Sequence, residues 1–83
     1  MSYQIKLDLS KASLTLRLFE TVDLSETSEI KEALTNEPKA GADKLIVDGG
    51  HIDYLDSSAV ALLLFSKRVA ADNGMTCEFL PFS

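Results

Sequence analysis

Tryptophan is absent from these 83 residues, cysteine and histidine occur once each, and proline occurs twice. A lone cysteine, Cys77, cannot close an intramolecular disulfide, which fits a reducing compartment. It reads as a small buried hydrophobe on a strand. The lone histidine, His51, stands among scattered aspartates without C-x-x-C or H-E-x-x-H spacing, so no metal site and no cofactor is expected. No G-x-x-x-x-G-K-[ST] follows the doublet Gly49-Gly50, which reads as a turn with positive φ rather than a phosphate cradle. No G-x-S-x-G elbow is present, and the lone histidine precedes the serine with no supporting pattern, so a Ser-His-Asp hydrolase is not expected and no enzyme is read. No apolar run approaches the roughly 20 residues that span a bilayer. Met1 to Lys6 also lacks the basic-then-apolar order of a signal peptide. The expectation is a cytoplasmic protein without direct membrane insertion. Positive charge is scarce too, with 8 Lys and Arg against 13 Asp and Glu and a net charge of −5. Such a surface repels phosphate backbones, so nucleic-acid binding is not expected.

What is present is an ordinary globular balance, 46% hydrophobic and 25% charged, in a chain with room for one domain over residues 1–83. Tyr3, Ile5, Leu7 and Leu9 alternate with Gln4, Lys6 and Asp8, the period of a half-buried strand. Ser10 to Ser13 is a polar turn, and Leu14 to Phe19 alternates again, completing a hairpin. Ser25 is placed as a helix cap, with Ser28 or Glu29 near the capping-box offset. Ile30, Ala33 and Leu34 follow helical spacing, and Pro38 ends that helix. Lys44 to Val47 is apolar without clear alternation, which predicts a strand covered on both faces. A second helix runs from about Ser57 to Asp72 and stops at Asn73-Gly74. Met75 to Leu80 is the last strand. The fold class is α/β with an α+β-like mixed sheet, order β-β-α-β-α-β, about four strands and two helices. Each strand–helix–strand passage is expected to be a right-handed crossover between parallel strands.

The passage from Leu45 to Leu64 carries the chemistry. A buried strand runs into a short loop, the loop ends in Asp56-Ser57-Ser58, and an apolar helix follows. A hydroxyl there lies at a helix N-terminus, where free backbone N–H groups and the dipole favour negative charge. Phosphorylated, Ser57 would place its anion where the backbone best tolerates it, near Asp53 and Asp56, which it would repel. Ser57 also reads as a plain N-cap worth about 1 kcal/mol. Asp56 either orients the hydroxyl or contributes charge to the helix start. Ser58 is a second cap or a second acceptor. Asp23 is either a turn aspartate or part of a binding face beside the Ser57 loop.

With Asp23 as a second anchor, this run resembles the signature of STAS domains, a family that includes bacterial anti-sigma factor antagonists and cytosolic domains of sulphate transporters. The likeness covers about residues 3–80. Ala59 and Glu20 stand where the family has glycine, and the family's pattern continues with a further helix that is lacking here. The resemblance implies a non-enzymatic regulator of the anti-sigma factor antagonist type, with Ser57 as the phosphoacceptor. Its partners would be an anti-sigma factor or serine kinase and a phosphatase. A second implication is a constitutive accessory or scaffold subunit of a membrane transporter, with Ser57 only a cap. A nucleotide-binding protein is a third reading, for which the sequence carries no motif.

The second helix has two apolar stripes. Val60, Leu63 and Leu64 are expected to face the sheet, and Leu62, Phe65 and Val69 form the other. One face cannot hold both. Part of the second stripe is therefore expected to be exposed and to contact a partner or a second copy. The expected partner-binding residues are Asp23, Asp56, Ser58, Ala59, Leu62 and Phe65.

Overall fold

Strand β1 (Tyr3–Asp8) pairs antiparallel with β2 (Ser13–Phe19), placing Ile5 opposite Leu16 and Leu7 opposite Leu14. The computed structural model of the chain describes residues 3–19, 24–51 and 57–80. The turn between these strands begins earlier than the alternation suggests. One carboxylate oxygen of Asp8 accepts the Ser10 N–H at 3.1 Å and the Ser10 hydroxyl at 2.6 Å. These bonds draw the chain out of the ladder at Asp8, so Leu9 sits in the turn, 65% exposed, rather than on the strand's apolar face. Ala12 closes the turn at φ 50°, the left-handed region.

Helix α1 (Leu24–Asn36) carries the chain from β2 to β3 (Lys44–His51), which lies parallel to β2. It opens one residue before Ser25, so Ser25 is inside the helix rather than its cap. Thr27, Ile30 and Leu34 are buried at i, i+3 and i+7, and Ala33 is half-buried. Helix α2 (Ser57–Asp72) then leads to β4 (Thr76–Leu80), parallel to β3. The four-stranded sheet has the order β1-β2-β3-β4. Gly74, at φ +67°, ends α2 as the Asn73-Gly74 pair predicts, and the Met75 N–H donates back to the Ala70 carbonyl at 2.8 Å.

Both helices contribute to one core against one face of the sheet. Leu14, Leu16 and Leu18 of β2, Leu45 and Val47 of β3, Ile30 and Leu34 of α1, and Leu62 of α2 are all 0% exposed. Strand β3 therefore alternates after all. Leu45, Val47 and Gly49 point to the helices and are buried, while Lys44, Ile46 and Asp48 are half-buried on the open face. The expectation of two covered faces fails because Ile46 is an apolar residue on the open side.

The buried stripe of α2 also differs from expectation. Ala59, Leu62, Ser66 and Ala70 are buried at helical spacing, whereas Val60 is 46% and Leu64 65% exposed. Two alanines let the helix approach closely, and the Ser66 hydroxyl is satisfied within the helix by donating to the Leu62 carbonyl at 2.9 Å. A polar residue can then occupy the core without an orphaned group. Phe65 and Val69 pack at the flank, and the Lys31 ammonium lies 5.5 Å from the Phe65 ring centroid, joining α1 to α2.

At one end of the sheet the loops are tied together. The Asp43 N–H donates to the Ala12 carbonyl at 2.8 Å, and the Thr76 N–H donates to the Asp43 carbonyl at 2.9 Å. Ser57 lies at the opposite end, where β3 finishes.

Candidate functional site

Two regular elements bracket the site, the end of β3 and the start of α2. The β2–β3 register runs evenly to Arg17 opposite Asp48, then shifts, with Phe19 opposite His51. Two steps on β2 therefore match three on β3, which is a bulge with the extra residue in the Gly49-Gly50 segment. Asp48 holds both sides of it. Its Oδ2 accepts from Arg17 Nε at 3.2 Å, and its Oδ1 accepts the Gly50 N–H at 3.0 Å. The two glycines thus continue β3 as a bulged strand and do not form the expected positive-φ turn. Among the described residues, the glycines with positive φ are Gly41 and Gly74. A bulge bends and twists its strand, and here it sets the direction in which β3 hands the chain on toward α2.

Ser57 is the first residue of α2 and is exposed. Its backbone N–H is among those that helix geometry leaves without an internal acceptor. The first turn of α2 carries no acidic residue, so inside the helix nothing competes for that positive end. Ser58 is half-buried. Ala59 is only 2% exposed, and alanine there brings the helix start close to the sheet. Asp23, Asp53, Asp56 and Glu20 lie outside the described residues.

The surface beside Ser57 differs from the one expected. Ala59 and Leu62 belong to the core and present no surface to a partner, and Phe65 is half-buried against Lys31. Successive helical turns instead place Val60 and Leu64 on the outer face that also carries Ser57, at i+3 and i+7. The arrangement is an exposed hydroxyl followed by two exposed branched side chains. Sequence reasoning missed Val60 and Leu64 because they are apolar and were assigned to the core. The available signal was that they share a helical face with the candidate hydroxyl.

Among the described residues, no group of three His, Cys, Asp or Glu is placed to hold a metal ion, and no helix is long and apolar enough to cross a membrane.

The family model described as "Mlab, STAS domain" matches residues 5–79. No curated protein matches the chain. Among solved structures, the anti-sigma factor antagonist SpoIIAA in its unphosphorylated form is similar at TM-score 0.78 and 20% identity, over 98% of this chain and 74% of that one. The phosphorylated form of SpoIIAA, described as a Bacillus cell fate determinant, is similar at TM-score 0.64 and 20% identity, over 90% of this chain and 68% of that one. A structure of Mglu is similar at TM-score 0.75 and 15% identity, where 94% of this chain matches 19% of that much longer one. At these identities the likeness is one of fold.

Proposed function

The chain belongs to the STAS domain family, and from that premise we propose that it is a non-enzymatic regulator of the anti-sigma factor antagonist type, switched by phosphorylation of Ser57. The observation that carries the reading is the exposed Ser57 at the head of α2, on one face with exposed Val60 and Leu64. The unphosphorylated face docks on a partner of the anti-sigma factor or serine-kinase class. Its apolar side chains lose water in the contact, and the uncharged hydroxyl is tolerated at the rim. A phosphate on Ser57 adds about −1.5 to −2 charges, which must then be desolvated against the partner. A phosphatase restores the first state. The fold relative SpoIIAA exists in an unphosphorylated and a phosphorylated form, which supports the same chemistry here. Asp23, Asp56 and Ser58 are proposed to complete the binding face.

The test is a comparison of wild type, Ser57→Ala and Ser57→Asp in the organism of origin. Phosphopeptide mass spectrometry should find phosphate on Ser57 in the wild type alone. The partner recovered with Ser57→Ala should bind Ser57→Asp at least about tenfold more weakly, a loss of about 1.4 kcal/mol. Equal binding of the two variants would reject the switch and favour a constitutive subunit of a larger assembly, such as a transporter's accessory domain.

A further inference from the structure

The glycine doublet near the end of β3 leaves that stretch without side chains to fix its pairing. Gly49 is buried on the helix side and Gly50 is exposed, and neither has a Cβ to interlock with a neighbour. Register is weakly specified where a strand is rich in glycine. Yet β3 adopts one particular register, with Arg17 opposite Asp48 and Phe19 opposite His51. An even ladder would set Phe19 opposite Gly50 and release one residue of β3 into the connection, residues 52–56, that leads to α2. The Asp48 carboxylate distinguishes the two. Its Oδ1 accepts the Gly50 N–H at 3.0 Å, inside the bulge, while its Oδ2 is tied to Arg17 Nε on β2 at 3.2 Å. The Asp48 side chain is only 15% exposed, so water competes little for either bond. At the far end of the connection, Ser57 precedes Ala59, the first buried residue of α2. Core packing anchors the helix from Ala59 onward. The first turn, whose N–H groups lack intrahelical acceptors, depends on how the chain enters it.

We propose that Asp48 is a positioning residue for Ser57. By selecting the bulged register it fixes the length and direction of the chain that enters α2. It thereby holds the Ser57 hydroxyl on the face shared with Val60 and Leu64. Arg17 acts through Asp48, by keeping its carboxylate aimed at the bulge, and not on Ser57 itself. A partner that docks on this face meets Ser57 correctly only while the first turn of α2 is formed, so a loosened register lowers modification of Ser57. That consequence rests on the reading of Ser57 as a phosphoacceptor, whereas the positioning itself needs no partner.

Amide hydrogen exchange of the full 83-residue chain, followed by NMR, reads the first turn directly. Helix geometry directs the Ala61 N–H to the Ser57 carbonyl, so Ala61 reports on that turn and Ala70 on the rest of the helix. Asp48→Ala should speed exchange at Ala61 by about fivefold relative to Ala70, the effect of one lost hydrogen bond. Asp48→Asn keeps an oxygen that can accept the Gly50 N–H and should restore most of the wild-type ratio. Gly41→Ala, at the opposite end of the sheet, lowers stability without touching the exit of β3 and should leave the ratio unchanged. Equal acceleration of Ala61 and Ala70 in Asp48→Ala would make Asp48 merely structural and overturn the proposal. So would an Asp48→Asn variant as perturbed as Asp48→Ala, which would move the effect from the bulge bond to the ion pair. Phosphopeptide mass spectrometry in the organism of origin is the second readout. Ser57 phosphate should fall about fivefold in Asp48→Ala, in step with the loss of the formed first turn, and stay near wild type in Asp48→Asn and Gly41→Ala. Unchanged or raised phosphate in Asp48→Ala also overturns the proposal, since Ser57 would then be modified irrespective of the helix start. A wild type without phosphate on Ser57 would instead reject the switch, and the exchange ratios alone would then uphold or overturn the positioning.

Discussion

Arg17 of β2 and Asp48 of β3 meet across the last regular rung of the parallel pair, with Nε 3.2 Å from Oδ2, immediately before β3 bulges. The same aspartate accepts the Gly50 N–H with its other oxygen. One side chain thus joins the two strands and fixes the distortion that precedes the Ser57 loop. The two residues are not equivalent, because Arg17 is 44% exposed at its side chain and Asp48 only 15%. An exposed ion pair is worth roughly 0.2–1 kcal/mol, so Arg17→Ala should cost less than about 1 kcal/mol. Asp48→Ala should cost about 1 kcal/mol more, because it also leaves a bulge N–H without its acceptor. Urea denaturation of both variants checks the order, and equal losses would show that the Gly50 bond contributes nothing.

The burial of α2 separates two leucines two residues apart. Leu62→Ala opens a cavity in the core and should cost about 2–5 kcal/mol. Leu64→Ala removes an exposed side chain and should change stability by no more than about 0.5 kcal/mol. Under the proposed switch, Leu64→Ala should still weaken partner binding, as should Val60→Ala. Thermal melts and binding measured on the same samples separate the two effects.

Backbone sign tells Ala12 from Gly41. Ala12 holds φ 50°, where an L side chain is disfavoured by about 1–2 kcal/mol. Glycine there relieves that strain but adds disorder to the unfolded chain, so Ala12→Gly should gain at most about 1 kcal/mol. Gly41→Ala should lose about 1–2 kcal/mol, because φ +89° is unfavourable to any side chain. The new Cβ would also lie 2.9 Å from Leu9 Cδ2, but Leu9 is exposed and its tip can swing away. Adding Leu9→Ala should therefore not rescue Gly41→Ala, which differential scanning calorimetry can decide.

Two groups set opposite pH responses. The hydrogen bond from the Ser10 hydroxyl, aided by backbone N–H groups and Lys11, holds the Asp8 carboxyl below its usual range. A depressed carboxyl pKa contributes stability above the unfolded value, lost as pH falls through the folded one. Ser10→Ala should flatten this acid-side slope in a urea series taken from neutral pH downward. Burial pushes the Cys77 thiol up, with Lys67 opposing in part. A raised thiol pKa favours folding below the unfolded value, and that contribution is lost as pH rises through the folded one. Iodoacetamide should alkylate Cys77 more slowly than a free cysteine peptide near the free thiol's pKa. An equal rate would count against burial as the cause.

Element order was legible wherever apolar and polar residues alternate cleanly. Leu14, Leu16 and Leu18 identify β2 and its buried face without help. In α2 the first seven positions after Ser58 are all apolar, so periodicity has almost no contrast. The buried face is marked instead by small residues, Ala59 and Ala70, and by Ser66, whose hydroxyl is spent inside the helix. A reading weighted by side-chain size is drawn to Val60, Leu63 and Leu64 and turns the helix the wrong way. Ile46 similarly hides the alternation of β3. Ser57 could be picked out from the sequence because its place follows from local order, a strand end and then a helix start. Its neighbours on the surface depend on how the helix is rotated, which local order does not determine.

The relay from Ala12 to Asp43 to Thr76 ties the β1–β2 turn, the residue before β3 and the first residue of β4 together at one end of the sheet. Each of the two links is a backbone N–H held by the carbonyl of the preceding segment, so none of the three segments can detach without breaking one of them. Slow amide exchange should therefore cluster at Asp43 and Thr76, giving the molecule a stiff base from which movements at the far rim are measured.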